Sequence, residues 1–181
     1  MKKIILLILL AFYANSCAAT PRISAKQTGI NEEFKPYIQN YKYIVGENKH
    51  SNKFKYLHMN FADLEGSIIG RCWWLLNGEY EVEIDINYWK WNEHNFLAKE
   101  FLIYHELEHC IRSRMHTNKQ FKIESIEDFF EEIGFQLGII KRLGYLKDGC
   151  PASIMHSHAF SDNCRIKHRY YYFDEMRNWK R

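Results

Sequence analysis

Residues 104–116 read YHELEHCIRSRMH. His105 and His109 stand four apart, so on a helix they lie one turn apart on one face and both imidazoles can reach a common point. Neutral imidazole is a good zinc ligand. Glu106, beside the first histidine, can approach a water at such a centre as a general base, which is what the HExxH spacing supplies on a single helix. His116 lies seven residues beyond His109, far enough for the chain to leave the helix near Ser113 and bring back a third imidazole. Glu127 or Glu131, further along, are the alternative third ligands. The chemistry these types and spacings offer is hydrolysis by a metal-activated water: Zn2+ as cofactor, His105, His109 and His116 as ligands, Glu106 as catalytic base.

Several elements must position these groups. From Phe96 to about Ser113 there is no Gly or Pro and the apolar residues fall on more than one face, which predicts a well-buried helix capped by Asn92 or Asn95. Asn77-Gly78 between two β-like runs predicts an antiparallel hairpin of 67–76 with 79–86, both turn residues having φ > 0. In its second strand Tyr80, Val82, Ile84 and Ile86 alternate with Glu79, Glu81, Glu83 and Asp85, predicting a packed face and a solvated acidic one. Two more strands are expected in YKYIV (41–45) and FKYLHMNFADL (54–64). Ile126, Phe129, Phe130, Ile133, Leu137 and Ile140 trace a helical stripe over about 125–143. Gly144, Gly149 and Pro151 then break the chain, and RYYYFDEMRNWK predicts a closing helix from about Lys167.

The chain has 181 residues, 26% charged and 16% aromatic, the size and composition of one packed domain. Its formal charge of +3 loses two lysines, leaving about +1, if Lys2 and Lys3 are removed by processing. Near neutrality, with no basic run interleaved with aromatics, gives no reason to expect nucleic acid as a partner. Residues 1–16 read as a secretory signal, with an apolar run from Ile4 to Phe12 too short for a permanent membrane span. Ala14-Asn15-Ser16-Cys17 resembles a bacterial lipobox, so Cys17 is the expected lipidation site, with ordinary cleavage near Ala19 as the alternative. Residues 17–35 read as a polar tether and 36–181 as the domain. The expected location is therefore the bacterial cell envelope, anchored by lipid at the outer membrane or periplasmic face, and otherwise periplasmic or secreted. Removing Cys17 leaves Cys72, Cys110, Cys150 and Cys164, an even set in an oxidising compartment that allows two disulfides in three pairings. Cys150 with Cys164, which bracket a short loop, is the first expected pair.

Downstream, CPASIMHS places Met155 in a tight loop after a proline. HExxH, a third histidine and a methionine loop, in that order, resemble the metzincin clan of zinc peptidases. More closely, HELEHCIRSRMH is similar to the HExxHCxxxRxH pattern of small bacterial lipoprotein metallopeptidases, matching at His105, Glu106, Leu107, His109, Cys110, Arg114 and His116. The resemblance spans roughly residues 66–175. It implies an α+β fold: a small mixed twisted sheet with an antiparallel edge hairpin, an active-site helix, a Met-turn and a C-terminal helix, with an extra helix inserted before the Met-turn. It implies a monomeric zinc metalloendopeptidase acting on peptides or proteins, with Met155 as support for the metal site and substrate extended along the edge strand 67–76. The chain departs from the common metzincin pattern in three places. Six residues rather than five separate His109 from His116, none of them Gly. Glu108, read as an exposed helix position, stands where the Gly-containing form has Gly. Ser157 stands where some metzincins carry an oxyanion-binding Tyr, with His158 as a substitute. The alternative to an enzyme is a non-catalytic zinc-binding envelope lipoprotein acting as an interaction module.

Overall fold

A proline in the first turn and Tyr37, Ile38, Tyr41, Ile44 and Val45 buried along one face make Lys35–Val45 a helix, α1. The strand expected in YKYIV is thus helical: its apolar residues belong to a 3.6-residue stripe that begins upstream of it. The computed structural model describes residues 22–46, 50–116, 145–146, 148–157 and 160–179. The expected signal sequence, Cys17, the expected helix at 125–143 with Glu127 and Glu131, and His158 lie outside them. A 3-10 turn, Glu32–Phe34, leads into α1; then follow a short α2 (Ser51–Phe54), β1 (Leu57–Ala62), β2 (Gly70–Trp74), β3 (Tyr80–Asp85), α3 (Ile86–Trp91), α4 (Phe96–Arg112) and α5 (Asp162–Asn178). No helix among the described residues is long and apolar enough to cross a membrane.

The three strands form one mixed sheet in the order β1-β3-β2, with β1 parallel and β2 antiparallel to β3. The fold is α+β, as expected at that level. The hairpin closes through Leu75 N–H to the Glu79 carbonyl at 2.9 Å and Gly78 N–H to the Leu75 carbonyl at 3.0 Å. Gly78 has φ 84°, and Ser113 is the one described non-glycine residue at positive φ. The turn is therefore the three-residue Leu76–Gly78 loop with glycine alone in the left-handed region, rather than a two-residue turn with both positions there.

Strand β3 is central, which changes the fate of its acids. Val82 and Ile84 are fully buried in the core, but Glu81, Glu83 and Asp85 on the other face are also buried, at 1%, 3% and 7% exposure. The expected solvated face does not exist because residues 22–31 lie across it. Arg22 donates to Glu81 and Glu83 at 3.0 and 2.9 Å, its guanidinium 3.7 Å over the Trp73 ring. The backbone N–H groups of Lys26 and Gln27 donate to Glu81, and Gly29 and Asn31 bond to Met59 at the outer edge of β1. From Arg22 onward the chain is thus part of the domain, whereas the sequence reading extended the tether to residue 35. Asp85 caps α3 through Tyr88 N–H and also accepts from Leu64 N–H.

Helix α4 runs through the middle of the core. Its Ile103, Tyr104, Leu107 and Ile111 are wholly buried; α1, the sheet and α5 pack around it. Glu100, also wholly buried, accepts two bonds from Arg169 at 2.9 and 2.8 Å and so ties α5 to α4. α5 begins at a Ser161 cap, earlier than the expected Lys167. Disulfides join Cys72 to Cys110 and Cys150 to Cys164. The expected Cys150–Cys164 pair forms, and Cys72–Cys110 pins β2 to α4. With partners 38 and 14 positions apart in sequence, the chain-entropy relation gives about 4 and about 3 kcal/mol of stabilisation.

The acid network makes stability depend on pH. Burial raises the Glu83 carboxyl, but hydrogen bonds from Arg22, Trp73 and Arg71 outweigh it and hold the group at about 2, against about 4.3 in an unfolded chain. A carboxyl depressed on folding contributes fully above the unfolded value and loses its contribution as pH falls toward the folded one. Thermal unfolding should therefore move to lower temperature between about pH 5 and pH 2, and Glu83→Gln should lower Tm at pH 7 and flatten that fall. An identical pH profile in the variant would contradict the network.

Candidate metal centre

Asn95 caps α4 by accepting from Ala98 N–H at 3.0 Å, and the helix then carries His105 and His109 on adjacent turns. It ends at Arg112 because Ser113 adopts a left-handed conformation, φ 56° and ψ 36°, its N–H closing on the carbonyls of Glu108 and His109. This αL residue does the work that a glycine performs in many helix ends, and it turns residues 114–116 back along the helix. Six intervening residues thereby suffice to return His116 to the other two histidines.

The three Nε2 atoms form a nearly equilateral triangle, with edges of 3.1 Å for His105–His109, 3.0 Å for His105–His116 and 3.1 Å for His109–His116. His105 donates Nδ1–H to the Ile154 carbonyl at 2.7 Å and His109 donates Nδ1–H to the Arg114 carbonyl at 2.6 Å. Those bonds fix the tautomers, so both Nε2 atoms turn unprotonated lone pairs inward. Burial, with the charge of neighbouring His109 adding to it, pushes His105 down to about 3; burial likewise pushes His109 down to about 4. Both rings are neutral donors at neutral pH. Lone pairs facing one another repel unless a cation lies between them, and the edges fall slightly short of the ~3.3 Å that separates nitrogens at ~2.0–2.1 Å from a tetrahedral ion. The triad fits a metal ion, and His105, His109 and His116 form a group that could hold one.

The anchors of the triad are themselves held. Glu108, between the two helical histidines, is fully buried rather than exposed. It accepts from Tyr41 Oη at 2.6 Å, Arg112 at 3.1 Å and Arg114 at 2.8 Å. Arg114 continues to Glu175 of α5. Glu175 accepts from Ser153 Oγ at 2.6 Å and from Ile154 N–H at 2.9 Å. The network therefore runs from α4 to the two residues, Arg114 and Ile154, whose carbonyls orient the histidines. Met155, fully buried, follows Ile154 in that loop, and its N–H bonds to Ser153 Oγ.

Glu106 points to the sheet side of α4. A Cβ built on Gly70 of β2 would come within 2.6 Å of its Oε1 and 2.8 Å of its Cγ, so only glycine leaves room for the carboxylate there. Burial drives Glu106 up to about 8, opposed by the Arg71 charge; a cation in the triad would act in the same sense as Arg71. Gly70, Arg71, His105, Glu106 and His116 line one wall of a cleft of about 570 Å³ between β2 and α4, with the Cys72–Cys110 disulfide holding the two elements together.

His105, His109, His116 and Glu106 thus meet in one cleft, while the alternative ligands Glu127 and Glu131 lie outside the described residues. Glu108, Arg114, Glu175 and Gly70 were missed as site residues. Arg114 stood inside the quoted motif, but nothing local marks its partner on α5. A second group, Asp148, Cys150 and His168, has ligand-like spacing. Its cysteine is in a disulfide and its Asp148 pairs with Lys167 and His168 at 2.6 Å, so it is a salt-bridged corner. Comparison with protein-family models, curated proteins and solved structures finds no match to the chain.

Removing the carboxylate at Glu108 leaves two buried guanidinium groups short of charge. Glu108→Ala should destabilise the fold by roughly 3–5 kcal/mol, read as a large drop in the urea midpoint; a change under about 1 kcal/mol would contradict its place at the centre of the network.

Proposed function

We propose that the protein is a zinc-dependent endopeptidase, and the observation that carries this is the convergence of three imidazoles beside a buried glutamate in an open cleft. Three nitrogen ligands with a free fourth position distinguish a catalytic zinc site from a closed structural one. Zinc bound there would supply Lewis acidity, lowering the pKa of a water and polarising a carbonyl. Glu106, at the foot of the cleft, takes a proton from the attacking water. The water oxygen bonds to the peptide carbonyl carbon, the C–N bond breaks, and Glu106 returns the proton to the departing amine. Among the described residues nothing pairs with the outer edge of β2 between residues 70 and 74, so an extended peptide can add to it by backbone hydrogen bonds while its scissile bond lies over the triad. Met155 supports the loop that orients His105 and takes no chemical part.

The order of HExxH, third histidine and methionine loop supports kinship with metzincin-like lipoprotein peptidases. Export with lipidation at Cys17 rests on residues 1–17, and two disulfides accord with an oxidising compartment. A non-catalytic zinc module is the second reading; the open cleft with Glu106 in it favours the enzyme.

Glu106→Gln should keep about one zinc per chain and lose cleavage of unfolded protein by at least about a hundredfold, the loss of a positioned base. Gly70→Ala should also keep the metal while lowering kcat, because the new methyl displaces the carboxylate. Full activity in Glu106→Gln would remove the role given to Glu106.

A further inference from the structure

The cleft does not stop at the triad. It continues about two turns back along α4, past Leu102 and Phe101 to Ala98, and Phe160 closes its side. These walls are apolar and buried. At this end the lining includes a charge: Arg165, in the first turn of α5. Its side chain is only 7% exposed, and its Nε is buried without a hydrogen-bond partner among the described residues. Its one carboxylate partner among the described residues is Asp162, at 2.6 Å, which is 57% exposed and is shared with two bonds from Asn95. Tyr88 lines the same end, where the charge of the guanidinium and a hydrogen bond from it oppose the upward shift that burial gives the phenol.

A guanidinium that lines an apolar cleft, and whose described carboxylate partner is more than half exposed, keeps charge to offer an acceptor that enters the cleft. Ala98 and His105 are seven residues apart, about 10 Å of helix rise, so this end of the cleft is met by substrate groups next to the scissile bond rather than by the bond itself. We propose that this arm of the cleft is a carboxylate-selective subsite, in which Arg165 receives a substrate carboxylate beyond the apolar walls of Ala98, Phe101, Leu102 and Phe160. The ligand chemistry is a carboxylate on a short apolar stem: a glutamate side chain next to the cleaved bond or the terminal carboxylate of a short peptide. That the carboxylate belongs to a peptide rests on the peptidase reading; the pocket and its charge do not.

The test is equilibrium binding of two probes, acetyl-Ala-Leu-Glu-Ala-amide and its Gln counterpart, to the full chain in detergent carrying Glu106→Gln so that the probe is not consumed, with and without one equivalent of zinc. The Glu probe should bind at least about tenfold more tightly than the Gln probe, as a charge-assisted hydrogen bond implies. Arg165→Met should bring the two within about twofold, and Arg165→Lys should retain part of the preference, which keeps the comparison usable if the methionine variant does not fold. A third probe, acetyl-Ala-Leu-Gln with a free carboxyl terminus, assigns the carboxylate to the chain end if it binds best. Equal binding of all three probes, or a preference that Arg165→Met leaves intact, would overturn the subsite. Selective binding, together with no peptide of a library cleaved by the zinc-loaded chain with Glu106 intact, would sink the peptidase reading alone. Cleavage of the library without preference for acidic residues would sink the subsite alone.

Discussion

Glu108 sits without solvent exposure between the two helical histidines, and the geometry of the centre depends on what it holds. One carboxylate satisfies Tyr41 of α1 and two arginines beyond the helix end, and a second, Glu175, ties Arg114 to the methionine loop. Two carboxylates and two guanidinium groups balance in charge, which is what lets them be buried at all. Because Arg114 and Ile154 lend their carbonyls to His109 and His105, the ion network is the frame on which the triad is mounted. Such outer partners set ring orientation and tautomer as firmly as the ligands set the metal.

A second constraint comes from the sheet. The Cys72–Cys110 disulfide fastens the edge strand to the residue after His109, and Gly70, two positions before Cys72, leaves the space that Glu106 fills. The hairpin therefore both offers its outer edge and fixes how deep the carboxylate lies. The buried acids of β3 serve the same end from below. Arg71 pairs with Glu83 on the face that Arg22 and Trp73 cover, so the strand beside Glu106 is locked in register by charge as well as by the ladder.

Much of this was legible in local spacing. His105, Glu106, His109 and His116, the limits of α4, the hairpin and the Cys150–Cys164 pair all follow from patterns within a few residues of one another. What was not legible depends on partners far along the chain. Glu81 and Glu83 alternate as solvated residues do, and only the packing of Arg22 across the central strand reverses that reading. Glu108 looks like an exposed helix charge until Arg114 and Tyr41 are placed against it. The turn at Ser113 carried no glycine to announce it, and the helix α1 was obscured by judging five of its residues without the proline and aromatics upstream.

The claim on which the rest stands is that three imidazoles hold one metal ion. Elemental analysis of the purified full chain beside His116→Ala tests it directly. The account predicts about one zinc per parent chain and a clear loss in the variant, with both chains folded by circular dichroism. A folded parent that binds no zinc, or a variant that binds as much as the parent, would contradict it.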